Sequence, residues 1–122
     1  ACAVGSAIRN EDGSWLRIGT PIGEVACFSF HPRKLITTGD GGMIVGASAE
    51  RDRKYRLWRQ HGMSVNDAVR HGSSQVVFES YEVTGFNYRM TDIQAAVGRV
   101  QLRRIGTVVE RRRAIAEIYR QH

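Results

Sequence analysis

Two side chains in the stretch Ser29–Lys34 have the types and spacing for chemistry: a hydroxyl at Ser29 and, five residues later, an amine at Lys34. Arg is permanently charged and cannot attack a carbonyl, whereas a Lys amine can do so and form a Schiff base. The chain holds 18 Lys and Arg residues, yet Lys34 and Lys54 are its only lysines. An amine that must meet a bound aldehyde needs a rigid seat and a fixed approach. Pro32 fixes its own φ and biases His31 away from helix, and the glycines at 39, 41 and 42 let the backbone reverse just behind the amine. A hydroxyl at Ser29 could hold a phosphate while the amine reaches the other end of the same ligand. The same residues also read as an ordinary exposed hairpin with a surface lysine.

The surrounding elements must supply the seat. Val25–Phe30 is a compact apolar run of strand length. Leu35–Thr38 and Met43–Val45 are two further β-prone stretches, and the turn Gly39-Asp40-Gly41-Gly42 between them predicts that they pair as a hairpin. Upstream, residues 1–5 read as the end of a strand or its turn, and the polar residues 6–24 as loop with short extended pieces. A helix is expected from Ser48 to about His61, with Tyr55 and Trp58 on its apolar stripe and Gly62 as its stop. Residues 63–85 read as a surface excursion with a short β-like piece, Val76–Phe78. Thr91–Gln94 and Thr107–Glu110 both carry the capping-box pattern. The first helix then has Ile93, Ala96, Val97 and Val100 in one stripe, with Gly98 free to approach a neighbour closely. The second has Val108, Ile115, Ile118 and Tyr119, with Arg111, Arg112 and Arg113 mostly off it.

Composition bounds the rest. A chain of 122 residues, 42% hydrophobic and 25% charged, suits one modest domain with a core. No apolar run has membrane-spanning length, so no membrane partner is expected. Cys2 and Cys27 lie in apolar surroundings and read as buried, reduced thiols, which suits the cytoplasm; a disulfide is the other reading. No Cys and His spacing resembles a zinc site, and no metal is expected. The net charge of +6 is concentrated between Arg99 and Arg120. A solvated helix face explains it, and the alternative is a nucleic-acid-binding module over Arg103–Arg120, for which no base-reading motif is present. The apolar start Ala1–Gly5 and a helix heading off His122 make the chain read as an internal piece of a longer protein.

Two segments carry a resemblance. Cys27–Val45, with the core Ser29-Phe30-His31-Pro32-Arg33-Lys34 and Thr38-Gly39-Asp40-Gly41-Gly42, is similar to the cofactor-lysine segment of the DegT/DnrJ/EryC1/StrS family of sugar aminotransferases. Gly85-Phe86-Asn87-Tyr88-Arg89-Met90-Thr91-Asp92-Ile93-Gln94-Ala95-Ala96 resembles a second hallmark of that family, in the right order and with a helix between the two. The resemblance covers essentially the whole chain, least clearly over residues 63–80.

It implies an α/β fold, the back part of a fold-type-I large domain of three α/β/α layers, with a β-hairpin carrying the lysine. Residues 1–106 would belong to that domain, and residues 107–122 would start the helix leading to a small C-terminal domain. It implies pyridoxal 5'-phosphate as cofactor, Lys34 as its Schiff-base and proton-transferring residue, and Ser29 as a ligand of its phosphate. Asn87 would reach the phosphate in a neighbouring subunit, so the active site would need a homodimer. The reaction would move an amino group from glutamate or glutamine to a keto sugar linked to a nucleotide, for amino-sugar, polysaccharide or antibiotic synthesis.

Relatives with His in place of the lysine dehydrate sugars, so Lys34 favours transamination. Cys2 falls where many relatives carry His or Gln, and Asp40 where Glu is commoner. The resemblance also implies an Asp two residues upstream of Ala1, facing the pyridine nitrogen; the 122 residues alone are therefore expected to bind the cofactor poorly and to be inactive. A non-catalytic relative with a regulatory or assembly role is the competing reading.

Overall fold

A computed structural model describes residues 3–20, 22–65 and 67–121. In chain order the elements are β1 (Ala7–Arg9), β2 (Trp15–Arg17), β3 (Ala26–Ser29), β4 (Gly42–Val45), α1 (Ala49–Arg59), α2 (Asp67–Gly72), α3 (Asp92–Arg103) and α4 (Ile105–Arg120). They fall into two compact units, one of Ala1–Ala47 with Met90–His122, the other of Ser48–Arg89.

The first unit holds both sheets, each a two-stranded antiparallel ribbon. Within the stretch read as loop, β1 and β2 pair from Ala7 with Arg17 to Arg9 with Trp15. The turn between them closes through Asn10 N–H to Ser14 O (2.8 Å) and Gly13 N–H to Asn10 O (3.0 Å).

The second ribbon differs from the expected hairpin. β4 pairs with β3, from Ala26 with Val45 to Ser29 with Gly42, and residues 35–38 form no strand. The threonines explain it. Thr37 Oγ1 donates to Phe30 O (2.9 Å) and accepts from Gly39 N–H (3.0 Å), while Thr38 Oγ1 donates to Asp40 O (2.6 Å). Phe30 N–H donates to Gly41 O (2.8 Å) and Thr38 N–H to Phe30 O (3.1 Å). Hydroxyl-to-backbone bonds of this kind compete with a strand ladder and here fold residues 30–41 into a compact loop. That loop holds the best-buried side chains described: Ile36 at 3% exposure, Phe30 and Thr38 at 6%. Burying two large apolar side chains this fully is worth about 1.5–3 kcal/mol each.

Strand alternation also corrects the reading of Cys27. Ala26 and Phe28 share the half-buried face of β3, so Cys27 points the other way and its free thiol is exposed. Cys2 lies outside the described residues.

α3 begins as expected. Thr91 Oγ1 accepts from Gln94 N–H (3.2 Å) and Gln94 Oε1 accepts from Thr91 N–H (2.9 Å), a complete capping box. Gly98 faces Thr38: a Cβ there would stand 3.0 Å from Thr38 Cγ2. The second capping box does not form. α4 starts at Ile105, two residues before Thr107, because Arg104 stays in the right-handed helical region (φ −91°, ψ −5°) and the chain passes almost directly from α3 to α4. A side-chain cap needs an extended residue at the N-cap, and none is present. The apolar stripes expected on these helices are largely in solvent, with Ile93 and Tyr119 each 80% exposed.

In the second unit, α1 is capped by Ser48, whose hydroxyl accepts from Arg51 N–H (3.3 Å). It ends at Arg59, slightly before the expected His61, with Gln60 N–H and Gly62 N–H both donating to Leu57 O. Tyr55 and Trp58 meet at 6.1 Å between ring centroids. The excursion contains α2, which no pattern announced, and Val76–Phe78 pairs with no strand, its Phe78 ring 90% exposed.

Candidate active site

The loop between β3 and β4 presents Lys34. Lys34 N–H donates to His31 O (2.9 Å), closing a turn over Pro32 and Arg33, and Arg33 N–H donates to His31 Nδ1 (3.3 Å). The turn lies in the chain between two buried side chains, Phe30 and Ile36, and Lys34 between them is half-buried. Gln94 reaches the same loop from α3: its Nε2 donates to Asp40 O (3.2 Å) while its Oε1 closes the capping box. The loop is thus held by its own threonines, by a small apolar core and by a helix start.

Lys34 lines a cavity of about 440 Å³ within this unit, between the loop, the segment at Gly5 and Ser6, and one face of α4. Among the described residues no carboxylate lines it. Gly5 has φ +82°, and a Cβ on it would stand 2.6 Å from Val109 Cγ2. Only glycine combines that backbone with that contact, so residue 5 sets how closely α4 approaches.

Ser29 ends β3, half-buried, and its hydroxyl accepts a long bond from His31 N–H (3.5 Å). It does not line the cavity that holds Lys34. Ser29 and Lys34 share a unit; Asn87 belongs to the other. There Asn87 sits opposite Gln60 in an isolated antiparallel bridge, anchored on either side by Phe86 N–H to Trp58 O (2.6 Å) and Tyr88 N–H to Arg59 O (3.0 Å). The Phe86 and Tyr88 rings stack at 5.1 Å with planes 7° apart. Extended alternation turns Asn87 away from that pair, and its Oδ1 accepts from Arg89 Nε (3.3 Å).

Two cavity residues escaped the sequence reading. Arg112 and Arg113 line it from α4, although the apolar periodicity of that helix put them on a solvated face. The positive charge gathered between Arg99 and Arg120 was their only trace in the sequence.

The sequence profile of the DegT/DnrJ/EryC1/StrS aminotransferase family matches residues 1–122. GDP-perosamine synthase of Caulobacter vibrioides is 37% identical over 119 residues, which is 98% of this chain and 28% of that protein. Among solved structures, Spr1654 of Streptococcus pneumoniae in its PMP-form is similar with a TM-score of 0.77 at 26% identity, over 98% of this chain and 30% of that one. PseC of Helicobacter pylori, an aminotransferase of pseudoaminic acid biosynthesis, gives a TM-score of 0.70 at 29% identity, over 88% and 25%. The chain therefore spans 25–30% of the length of these relatives, and it shares with them the mixed helix and strand of the fold-type-I aminotransferases. This chain belongs to the DegT/DnrJ/EryC1/StrS aminotransferase family, whose cofactor is pyridoxal 5'-phosphate.

Proposed function

We propose that Lys34 is the cofactor-bearing lysine of an aminotransferase that moves an amino group from glutamate or glutamine to a keto sugar carried on a nucleotide. The observation that carries this is the setting of Lys34: a half-buried amine on a braced loop, lining a cavity of about 440 Å³ without a carboxylate among its described residues. That donor set fits pyridoxal phosphate, which needs an amine for its aldehyde carbon and neighbours compatible with its negative charge. When bound, the cofactor supplies the electron sink that stabilises charge at the amino-bearing carbon.

The chain's own residues do the rest. Nζ of Lys34 would hold the cofactor at its aldehyde carbon, and the same amine would serve as the group that carries a proton to or from the substrate carbon that loses or gains nitrogen. The braced loop keeps that nitrogen near its working position. Ser29 and Asn87 serve the cofactor phosphate, Asn87 from the partner subunit of a homodimer.

Residues 1–106 belong, in this reading, to a three-layer large domain and residues 107–122 begin the helix toward a small C-terminal domain. A cytoplasmic setting suits the exposed free thiol of Cys27, which an oxidising compartment would endanger. No described helix is long and apolar enough to cross a membrane.

Visible absorbance of the full-length protein with pyridoxal phosphate tests the reading. A band that borohydride fixes covalently to Lys34, and that Lys34→Ala removes, is expected. A protein with no such band, or one that keeps it after Lys34→Ala, would instead be a non-catalytic relative.

A further inference from the structure

We infer that Arg33, Arg112 and Arg113 form an oxyanion-binding wall beside Lys34, which takes a carboxylate or phosphate group of the ligand bound there. α4 brings Val109, Arg112, Arg113 and Ala116 to the cavity, and their spacing of three, four and seven residues defines one helical face. Small apolar side chains at 109 and 116 let that face lie close to the Lys34 loop, and the bare Cα of Gly5 fixes the approach at Val109. The arginines between them then flank the same space as Arg33.

Charge selects the ligand. Four cationic side chains line the cavity with no carboxylate among its described residues, and none of the described ion pairs involves Arg33, Arg112 or Arg113. The described ion pairs lie elsewhere: Lys54 with Glu50, Arg56 with Asp52, Arg70 with Glu79 and Arg120 with Glu117. Guanidinium groups bind carboxylate and phosphate through paired, charge-assisted hydrogen bonds. Ser6, whose hydroxyl is a neutral donor, also lines the cavity. A volume of about 440 Å³ admits a small molecule rather than a polymer.

The inference deepens the proposed function, because the ligand held at Lys34 is an amino donor with carboxylates or a sugar with a nucleotide diphosphate. The wall itself does not depend on Lys34 carrying the cofactor, so the two can fail separately.

The test is a titration of the full chain with glutarate and, separately, inorganic pyrophosphate, followed by amide NMR shifts at low ionic strength. The variants are Arg112→Gln with Arg113→Gln, Lys34→Met, and a control of equal charge loss on α3, Arg99→Gln with Arg103→Gln. Saturable binding with shifts at Ser6 and Arg33 is expected, weakened about tenfold or more by the α4 pair. The control should stay within about twofold, because these two residues do not line the cavity. Tighter glutarate points to the donor carboxylate, tighter pyrophosphate to the nucleotide. Equal weakening by the α4 pair and the control, no effect of the α4 pair, or no saturable binding of either anion would overturn the inference. Circular dichroism of each variant separates loss of the wall from loss of the fold. If anion binding survives in Lys34→Met while the full-length protein shows no cofactor band, the wall stands and the cofactor assignment falls.

Discussion

Lys54 lies on α1 one turn from Glu50, 2.8 Å from its carboxylate, with 56% of its side chain in water. Lys34 is half-buried on the loop between β3 and β4, a loop that also holds the buried Phe30 and Ile36, and lines a cavity with three arginines. The two residues carry the same chemical group and differ in everything that decides its use. An amine paired with a carboxylate across a helical turn is a solubility and helix-stabilising device worth little. An amine on a braced loop, lining a cavity with three arginines, stands where a bound small molecule can reach it. Residue type drew attention to both lysines; surroundings separate them.

The sharpest way to break this comparison is to remove each amine in turn. In the full-length protein, Lys34→Ala should abolish the visible cofactor band and the amino transfer, while Lys54→Ala should leave both unchanged. Loss of the band in both variants would mean that exposure and a place on the cavity wall do not discriminate the two sites.

Next comes the base under Lys34. Ile36→Ala removes one of the two large apolar side chains buried among the described residues and should cost about 2–5 kcal/mol, read from the urea midpoint. A cost near zero would mean that the loop is not seated as described.

Gln94→Leu is expected to cost about 1–2 kcal/mol, because it removes half of the capping box and the bond to Asp40 O together. Thr91→Ala, which leaves Gln94 able to reach Asp40, should disturb amide shifts around Lys34 less than Gln94→Leu does.

The smallest effect belongs to Lys54. Its hydrogen bond and charge hold the Glu50 carboxyl below the ordinary value of 4.5. A depressed carboxyl favours the folded state above its unfolded pKa, and the advantage fades as pH falls through the folded one. A slight loss of helical circular dichroism on acidifying below about pH 4.5 is therefore expected, and Lys54→Ala should diminish it.

What could be read in the sequence is what is local. The Thr91–Gln94 box formed because both its bonds lie within four residues, and the Ser48 cap for the same reason. The partner of β4 was misread because the hydroxyls of Thr37 and Thr38 bond to backbone groups at residues 30, 39 and 40, an option that β-propensity does not weigh. Thr107 had the residue types of a cap but not the conformation, which Arg104 decides by remaining helical. The surrounding motif singled out Lys34, and the structure puts that residue on a cavity wall.

Arg112 and Arg113 were not legible as cavity residues, because the face α4 turns inward is set at Gly5, far away in sequence, rather than by its own apolar period. The same holds for Cys27, whose exposure follows from the pairing of β3 and not from its apolar neighbours.

The double engagement of Gln94 has a dynamic consequence. Its amide closes the first turn of α3 at one end and grips Asp40 O at the other, and Asp40 O also receives the Thr38 hydroxyl. Fraying of that first turn and loosening of the Lys34 loop then share one latch. The two segments, about fifty residues apart along the chain, are expected to open as a single cooperative unit, so the reach of the amine fluctuates with the start of a distant helix.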